Sequence, residues 1–311
     1  MQSKKGFLEI SFGWLFAIIV GAVILFLAIF ASVKLIRVGQ YETSVGTQEE
    51  IEILLNPLET GFESGRISSF SLTRETRIHN TCDERGTFGS QKISLSQKSF
   101  GGWSEETRGT SFQNKYIFSG NISEGKEFIL FSRPFEFPFK VSDLIYLIPK
   151  KDVYCFVGAE KNVEDEIAQF GNDNLILVDD VEDCGEGHIK VCFSEDGCDI
   201  SVDGNNRFVE KNETRMYFDD DSLMYGAIFS DPVVYECQLD RLMARTEKLS
   251  QIYLSKISLI SSTGCESDLD SDLVYLREFA NGFDDSRDLI SAISKIENIG
   301  NRNEDAHCKL W

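Results

Sequence analysis

The chain has 311 residues, 42% of them hydrophobic and 12% aromatic, with a formal net charge of −20. That is enough apolar material for a sizeable core in two or three units, and it excludes a disordered tail. The acidity excludes nucleic acid as a partner and peripheral docking on anionic lipid, because both surfaces repel it.

In chain order, the first predicted element is a transmembrane helix over residues 7–37. No residue between Ile10 and Val33 is charged, and that span is long enough to cross a hydrocarbon core about 30 Å thick. It exceeds the apolar region of a secretory signal and lacks an Ala-x-Ala cleavage site. Lys4 and Lys5 on one side nearly balance Lys34 and Arg37 on the other, so the positive-inside count is close to a tie. The cysteines and the large C-terminal part break it: the N-terminus is expected in the cytoplasm and the rest outside. The lipid bilayer is thus one expected partner. Gly13, Ala17 and Gly21 recur at four-residue spacing, the pattern that lets helices approach closely in a membrane. A lipid-facing anchor is the plain alternative.

Residues 38–62 read as a neck and an amphipathic helix. Gly39 and Gly46 mark the neck, Thr47–Glu50 forms a capping box, Ile51, Leu54, Leu55 and Leu58 make one apolar stripe, and Pro57 should end or kink the helix. Residues 63–150 read as an antiparallel β unit of about six strands, from alternating and short apolar runs such as Tyr116–Phe118 and Phe128–Phe131. Residues 151–230 change period. A strand at Val153–Ala159, a helix at Asn162–Phe170 and a strand at Leu175–Asp180 predict a parallel β-α-β unit. β-Hairpins are then predicted through His188–Ser194, Cys198–Asp203, Arg207–Val209 and Arg215–Phe218. Residues 231–311 form a helical C-terminal segment, with Pro232 opening the first helix. The fold class is α+β.

Eight cysteines, Cys82, Cys155, Cys184, Cys192, Cys198, Cys237, Cys265 and Cys308, all lie beyond the apolar span and contain no Cys-x-x-Cys pair. Disulfides are the natural account, and the spacing leaves their pairing open. Sequons at Asn121 and Asn212 are glycosylation candidates. Asp179 and Asp180 end a predicted strand, where α/β proteins place metal-holding acids, and Asp219, Asp220 and Asp221 offer oxygen ligands for calcium. The bland alternative for all five is a solvated acidic turn. Asp268, Asp270 and Asp272 offer a second calcium reading, without an EF-hand's glycine and distal glutamate, and Cys184, His188, Cys192 and Cys198 match no common zinc module. Gly120–Glu127 nearly spells a P-loop but ends in Glu127 where magnesium needs Ser or Thr. No dinucleotide fingerprint and no hydrolase or protease signature occurs, so neither a cofactor nor catalysis is expected.

Lys4-Lys5-Gly6-Phe7 ahead of an apolar helix resembles the class III signal of type IV pilin-like proteins. The resemblance covers about the first tenth of the chain. It implies cleavage between Gly6 and Phe7, removal of a leader at residues 1–6, and assembly of the retained helix with copies of itself or with pilin-like proteins. Bacterial type IV pilins carry glutamate at the fifth mature position; here that position is Ser11, and Glu9 stands at the third. By the same resemblance, Glu9 would set axial register, while Gly13, Ala17 and Gly21 would form the packing face. The runs at 10–17, 114–119 and 133–141 are similar to those of large uncharacterised archaeal membrane-anchored proteins. The expected function is therefore a membrane-anchored extracytoplasmic surface protein, as a large minor component of a pilus-like assembly. The alternatives are a single-pass ectodomain that binds a ligand or metal without forming a filament and, third, an extracytoplasmic enzyme.

Overall fold

The computed structural model describes residues 12–55, 68–99, 102–193, 197–262 and 264–311, with side chains of the first helix described for residues 13–34. That helix, α1, runs unbroken over Phe12–Leu55. Gly39 and Gly46 lie inside it, where the sequence predicted a neck. A glycine costs a helix only about 1 kcal/mol relative to alanine, and 44 residues of continuous hydrogen bonding absorb two of them. Residues Gly13–Lys34 form its apolar stretch, none of it buried. At ~1.5 Å per residue those 22 residues span about 33 Å.

The first sheet contains β1 (Ser68–Asp83), β2 (Ser90–Ser99), β3 (Gly102–Trp103), β4 (Thr110–Phe112), β5 (Tyr116–Phe118), β6 (Ile122–Glu136) and β7 (Lys140–Pro149). Their order is β3-β2-β1-β6-β7-β5, with β4 also on β2. The antiparallel expectation holds except at β5, which pairs with β7 in parallel. Alternation could not reveal this, because Tyr116, Ile117 and Phe118 are all buried, the mark of a strand covered on both faces. Elsewhere period two is plain. Phe128 and Leu130 face a smaller core with Ile78, Leu95 and Leu147, while Ile129 and Phe131 face the main core.

The second sheet contains β8 (Tyr154–Val157), β9 (Leu175–Val178), β10 (Ile189–Cys192), β11 (Ile200–Asp203), β12 (Phe208–Lys211) and β13 (Thr214–Tyr217), ordered β13-β12-β11-β10-β8-β9. Helix α2 (Lys161–Phe170) connects the parallel pair β8 and β9, as the β-α-β reading predicted. The expected hairpin between β10 and β11 is instead a parallel pair. A disulfide between Cys192 and Cys198 closes the short loop there, returning the chain to set off again in the same direction. The hairpins β11–β12 and β12–β13 are antiparallel, as expected.

Helix α3 (Asp221–Phe229) lies between the sheets, against β6 and β7 on one side and β12 and β13 on the other. Every residue from Ser222 to Phe229 is buried. Phe229 is the hinge pin: its ring lies 5.6 Å from Phe131, 6.1 Å from Tyr146 and 4.9 Å from Tyr154, joining both sheets. Gly226 permits the close approach, since a Cβ there would stand 2.9 Å from the Phe118 ring. Helices α4 (Pro232–Ser261), α5 (Asp270–Asn281) and α6 (Asp288–Asp305) complete the head.

All eight cysteines are paired, as Cys82–Cys237, Cys155–Cys184, Cys192–Cys198 and Cys265–Cys308. The first ties the end of β1 to α4, and the last closes the helical segment on itself.

Candidate acidic cleft beneath the last helix

After β13 the chain turns through Phe218, Asp219 and Asp220 into α3. Asp220 caps that helix: its Oδ1 accepts from Leu223 N at 3.0 Å and from Ser222 Oγ at 2.7 Å. The preceding Asp219 is left facing a cleft of about 510 Å³, whose opposite wall is α6. Ile293, Ile296 and Pro138 supply apolar lining, and Glu136, Glu297 and Glu304 supply exposed carboxylates. Arg207 is the cation of the lining. Its Nη1 donates to the Asp219 carbonyl at 2.6 Å and its Nη2 lies 3.6 Å from Glu297 Oε1. Arg207 holds that place from a left-handed backbone, φ +53°, a conformation that costs a non-glycine residue about 1 kcal/mol.

Asp219 Oδ1 is closed off from solvent and has no hydrogen-bond partner. Burial, then the neighbouring Asp220, raises the Asp219 pKa well above the carboxylate range, against the pull of backbone amides and Arg207. Burial also raises Asp220, opposed by its capping bonds to Ser222 and Leu223. Two adjacent carboxyls that resist ionisation and an arginine with a left-handed backbone therefore line one cleft.

A second acidic corner surrounds the Cys82–Cys237 bridge. Glu84, Glu236 and Asp240 line a cavity of about 530 Å³ beside it, and Asp284 with Glu247 borders the adjoining one. Burial, followed by the hydrogen-bonded Glu84 carboxyl, raises Asp240 to about 7, with Glu236 and Asp284 adding to the shift. Burial raises Glu236 too, although it accepts from Ser286 N and Oγ at 2.9 and 2.7 Å. A raised native pKa means that the folded state keeps its proton longer than the unfolded one. The stabilisation is complete below the ordinary carboxylate range and fades as pH rises to about 7. We expect Asp240→Asn to flatten that decline in unfolding free energy, measured by denaturant titration across the window. An unchanged slope would contradict the assignment.

The other sequence candidates lie elsewhere. Asp179 and Asp180 are exposed at the end of β9, with Asp180 preceding a turn of 3-10 helix. Asp221 does not join Asp219 in lining the cleft; its Oδ2 accepts from Asn162 Nδ2 at 2.8 Å. Among the described residues, no three His, Cys, Asp or Glu side chains are grouped to hold a metal ion. The zinc reading fails for a direct reason: Cys184, Cys192 and Cys198 are disulfide-bonded, and His188 Nδ1 accepts from Gly185 N at 3.0 Å. The second calcium reading is displaced by cations of the chain itself: Lys295 and Arg302 bind Asp272, and Arg302 also binds Asp268.

Asn121 and Asn212 are exposed, the latter in the β12–β13 turn with φ +50°. Gly13, Ala17 and Gly21 are exposed, and a Cβ at either glycine would meet nothing within 4 Å. Lys4, Lys5, Gly6, Phe7 and Glu9 lie outside the described residues. Sequence reasoning missed Arg207, Glu297 and Glu304, which no local motif joins to Asp219. The turn at Gly204-Asn205-Asn206 was the one available signal, since such turns often end in a left-handed residue. Comparison with protein-family models, curated proteins and solved structures finds no match to this chain in any of the three.

Proposed function

We propose that this chain is a single-pass surface protein, its N-terminus cytoplasmic and its disulfide-braced head extracytoplasmic, working as a large minor component of a type IV pilus-like assembly. One observation carries the reading. The single helix α1 is about 66 Å long at ~1.5 Å per residue; its apolar stretch stands exposed, while the helix also meets β2 of the head. An exposed apolar stretch of 22 residues, about 33 Å at ~1.5 Å per residue, is costly in water and suits lipid or neighbouring helices. Four disulfides among the described residues suit an oxidising compartment. N-terminal sequencing of protein from its native membrane tests the assembly part. The expected mature terminus is Phe7, and Gly6→Leu should block the cut but not insertion. A mature protein that begins at Met1 or Gln2 would remove the pilin-like part.

The acidic cleft favours a second reading, a ligand-binding ectodomain on the same anchor. Association of the helix separates them: Gly13→Leu with Gly21→Leu should impair assembly in the first reading and change nothing in the second.

A further inference from the structure

We propose that Glu84 and Asp240 form a proton-operated latch, which holds the loop after β1 against α4 while the two carboxyls share a proton and releases it when they do not. The Asp240 carboxyl is hydrogen-bonded to that of Glu84. Two carboxylates have no hydrogen to place between them, so this contact exists only with one of the pair protonated. The pair is also a wall. Glu84 and Asp240 line both the cavity of about 530 Å³ beside the Cys82–Cys237 bridge and the adjoining cavity of about 370 Å³. Moving Glu84 aside joins the two into one groove, with Pro232 and Val233 at one end and Met243 and Phe283 at the other.

The loop is fixed at both ends. Cys82 is bonded to Cys237, and the Phe88 carbonyl accepts from Arg241 Nε at 3.2 Å. Between them Gly86 stands at φ +91° in open space, a joint without a side chain. Arg85 turns back on Asp83. Among the described residues, no other hydrogen bond or ion pair ties residues 84–87 to α4. The surrounding charges all act in one direction once the proton leaves. Glu236 on α4 and Asp284 between α5 and α6 disfavour an ionised Asp240, and Asp285 stands near Glu236. Glu247 on α4 borders the same cavity and is paired with Lys248. The nearby arginines are committed elsewhere, Arg85 to Asp83 and Arg241 to backbone carbonyls and Gln238. Burial, then Glu84, raises Asp240 to about 7. About a tenth of the pairs therefore lack the proton at pH 6, and about nine tenths at pH 8.

Trypsin tests the latch at Arg85, because cleavage requires the loop to leave α4 and extend into the protease. A cut there leaves the two pieces joined by Cys82–Cys237, and a reducing gel separates them. The full-length protein in neutral detergent is treated at pH 6 and pH 8, with each rate divided by trypsin's rate on a small substrate. Wild type should be cut after Arg85 roughly tenfold faster at pH 8 than at pH 6. Tryptic sites elsewhere in the head should keep their rates, which separates loop opening from global loosening. Asp240→Asn keeps a donor for Glu84 at every pH, so it should be cut at the slow rate at both. Glu84→Gln should behave alike, and as a change in an exposed loop it serves if Asp240→Asn does not fold. Equal rates at the two pH values in wild type, a parallel rise at the other sites, or a wild-type pH response in either variant would overturn the proposal.

Discussion

Replacing Arg241 with methionine should lower the unfolding free energy by about 3 kcal/mol or more. Arg241 is fully buried on α4 and meets no carboxylate among its hydrogen-bond partners. Its guanidinium instead donates to the carbonyls of Phe88, Phe112, Gln113 and Lys115 and to Gln238 Oε1, and it lies 4.8 Å from the Tyr116 ring. Burial lowers its pKa to about 10, so it remains charged at neutral pH. One side chain thereby ties the loops flanking β2, β4 and β5 to the helical segment. Methionine fills much of the volume but leaves those acceptors without a donor, each worth about 1–3 kcal/mol when buried and unsatisfied. Relief from burying a charge offsets part of the sum. Lysine should do little better, because three donors on one nitrogen cannot reach a fork of four carbonyls. Urea titration decides it, and a loss below about 0.5 kcal/mol, the level of an ordinary surface change, would contradict this account of the junction.

The second large effect belongs to the bridge beside it. Cys82 and Cys237 are 155 residues apart. Closing so long a loop in the unfolded chain is worth about 5 kcal/mol on the chain-entropy model. Cys82→Ser with Cys237→Ser should therefore cost roughly 4–5 kcal/mol, more than opening Cys192–Cys198, whose separation is only 6. The two junction effects should not add. Asn80, Gln91 and Gln238 share a buried network around the Ile117 backbone, with bonds of 2.6–3.2 Å. Gly89 lies close enough that a Cβ there would meet Arg241. Loosening this corner in either way exposes the same groups, so a double-mutant cycle should show coupling of about 0.5–3 kcal/mol.

How far the sequence could be read follows from the range of the interactions. The long apolar helix was legible because it depends on a local average of hydropathy, and the β-α-β unit because its period changes within a few turns. Capping was local too: Asp220, whose run of three aspartates suggests calcium, is the cap of α3. The parallel pairing of β10 with β11 was not legible, since Glu195-Asp196-Gly197 has the composition of a hairpin turn and only the Cys192–Cys198 bond distinguishes it. Arg241 sits in sequence among Leu239, Leu242 and Met243 like any polar residue beside an apolar stripe. Apart from Gln238, the acceptors that satisfy it lie more than 120 residues away. The cleft was hidden for the same reason: Asp219 and Glu297, far apart in sequence, line one cavity only through the packing of α6.

The central claim is that α1 crosses a membrane once and that the head stands outside. Protease added to intact cells tests it most directly, with reduced and alkylated samples analysed for which peptides of residues 68–311 are lost. The account predicts that the head is digested from the outside while a fragment containing Gly13–Lys34 stays protected. A head that remains intact until the cells are lysed would contradict it.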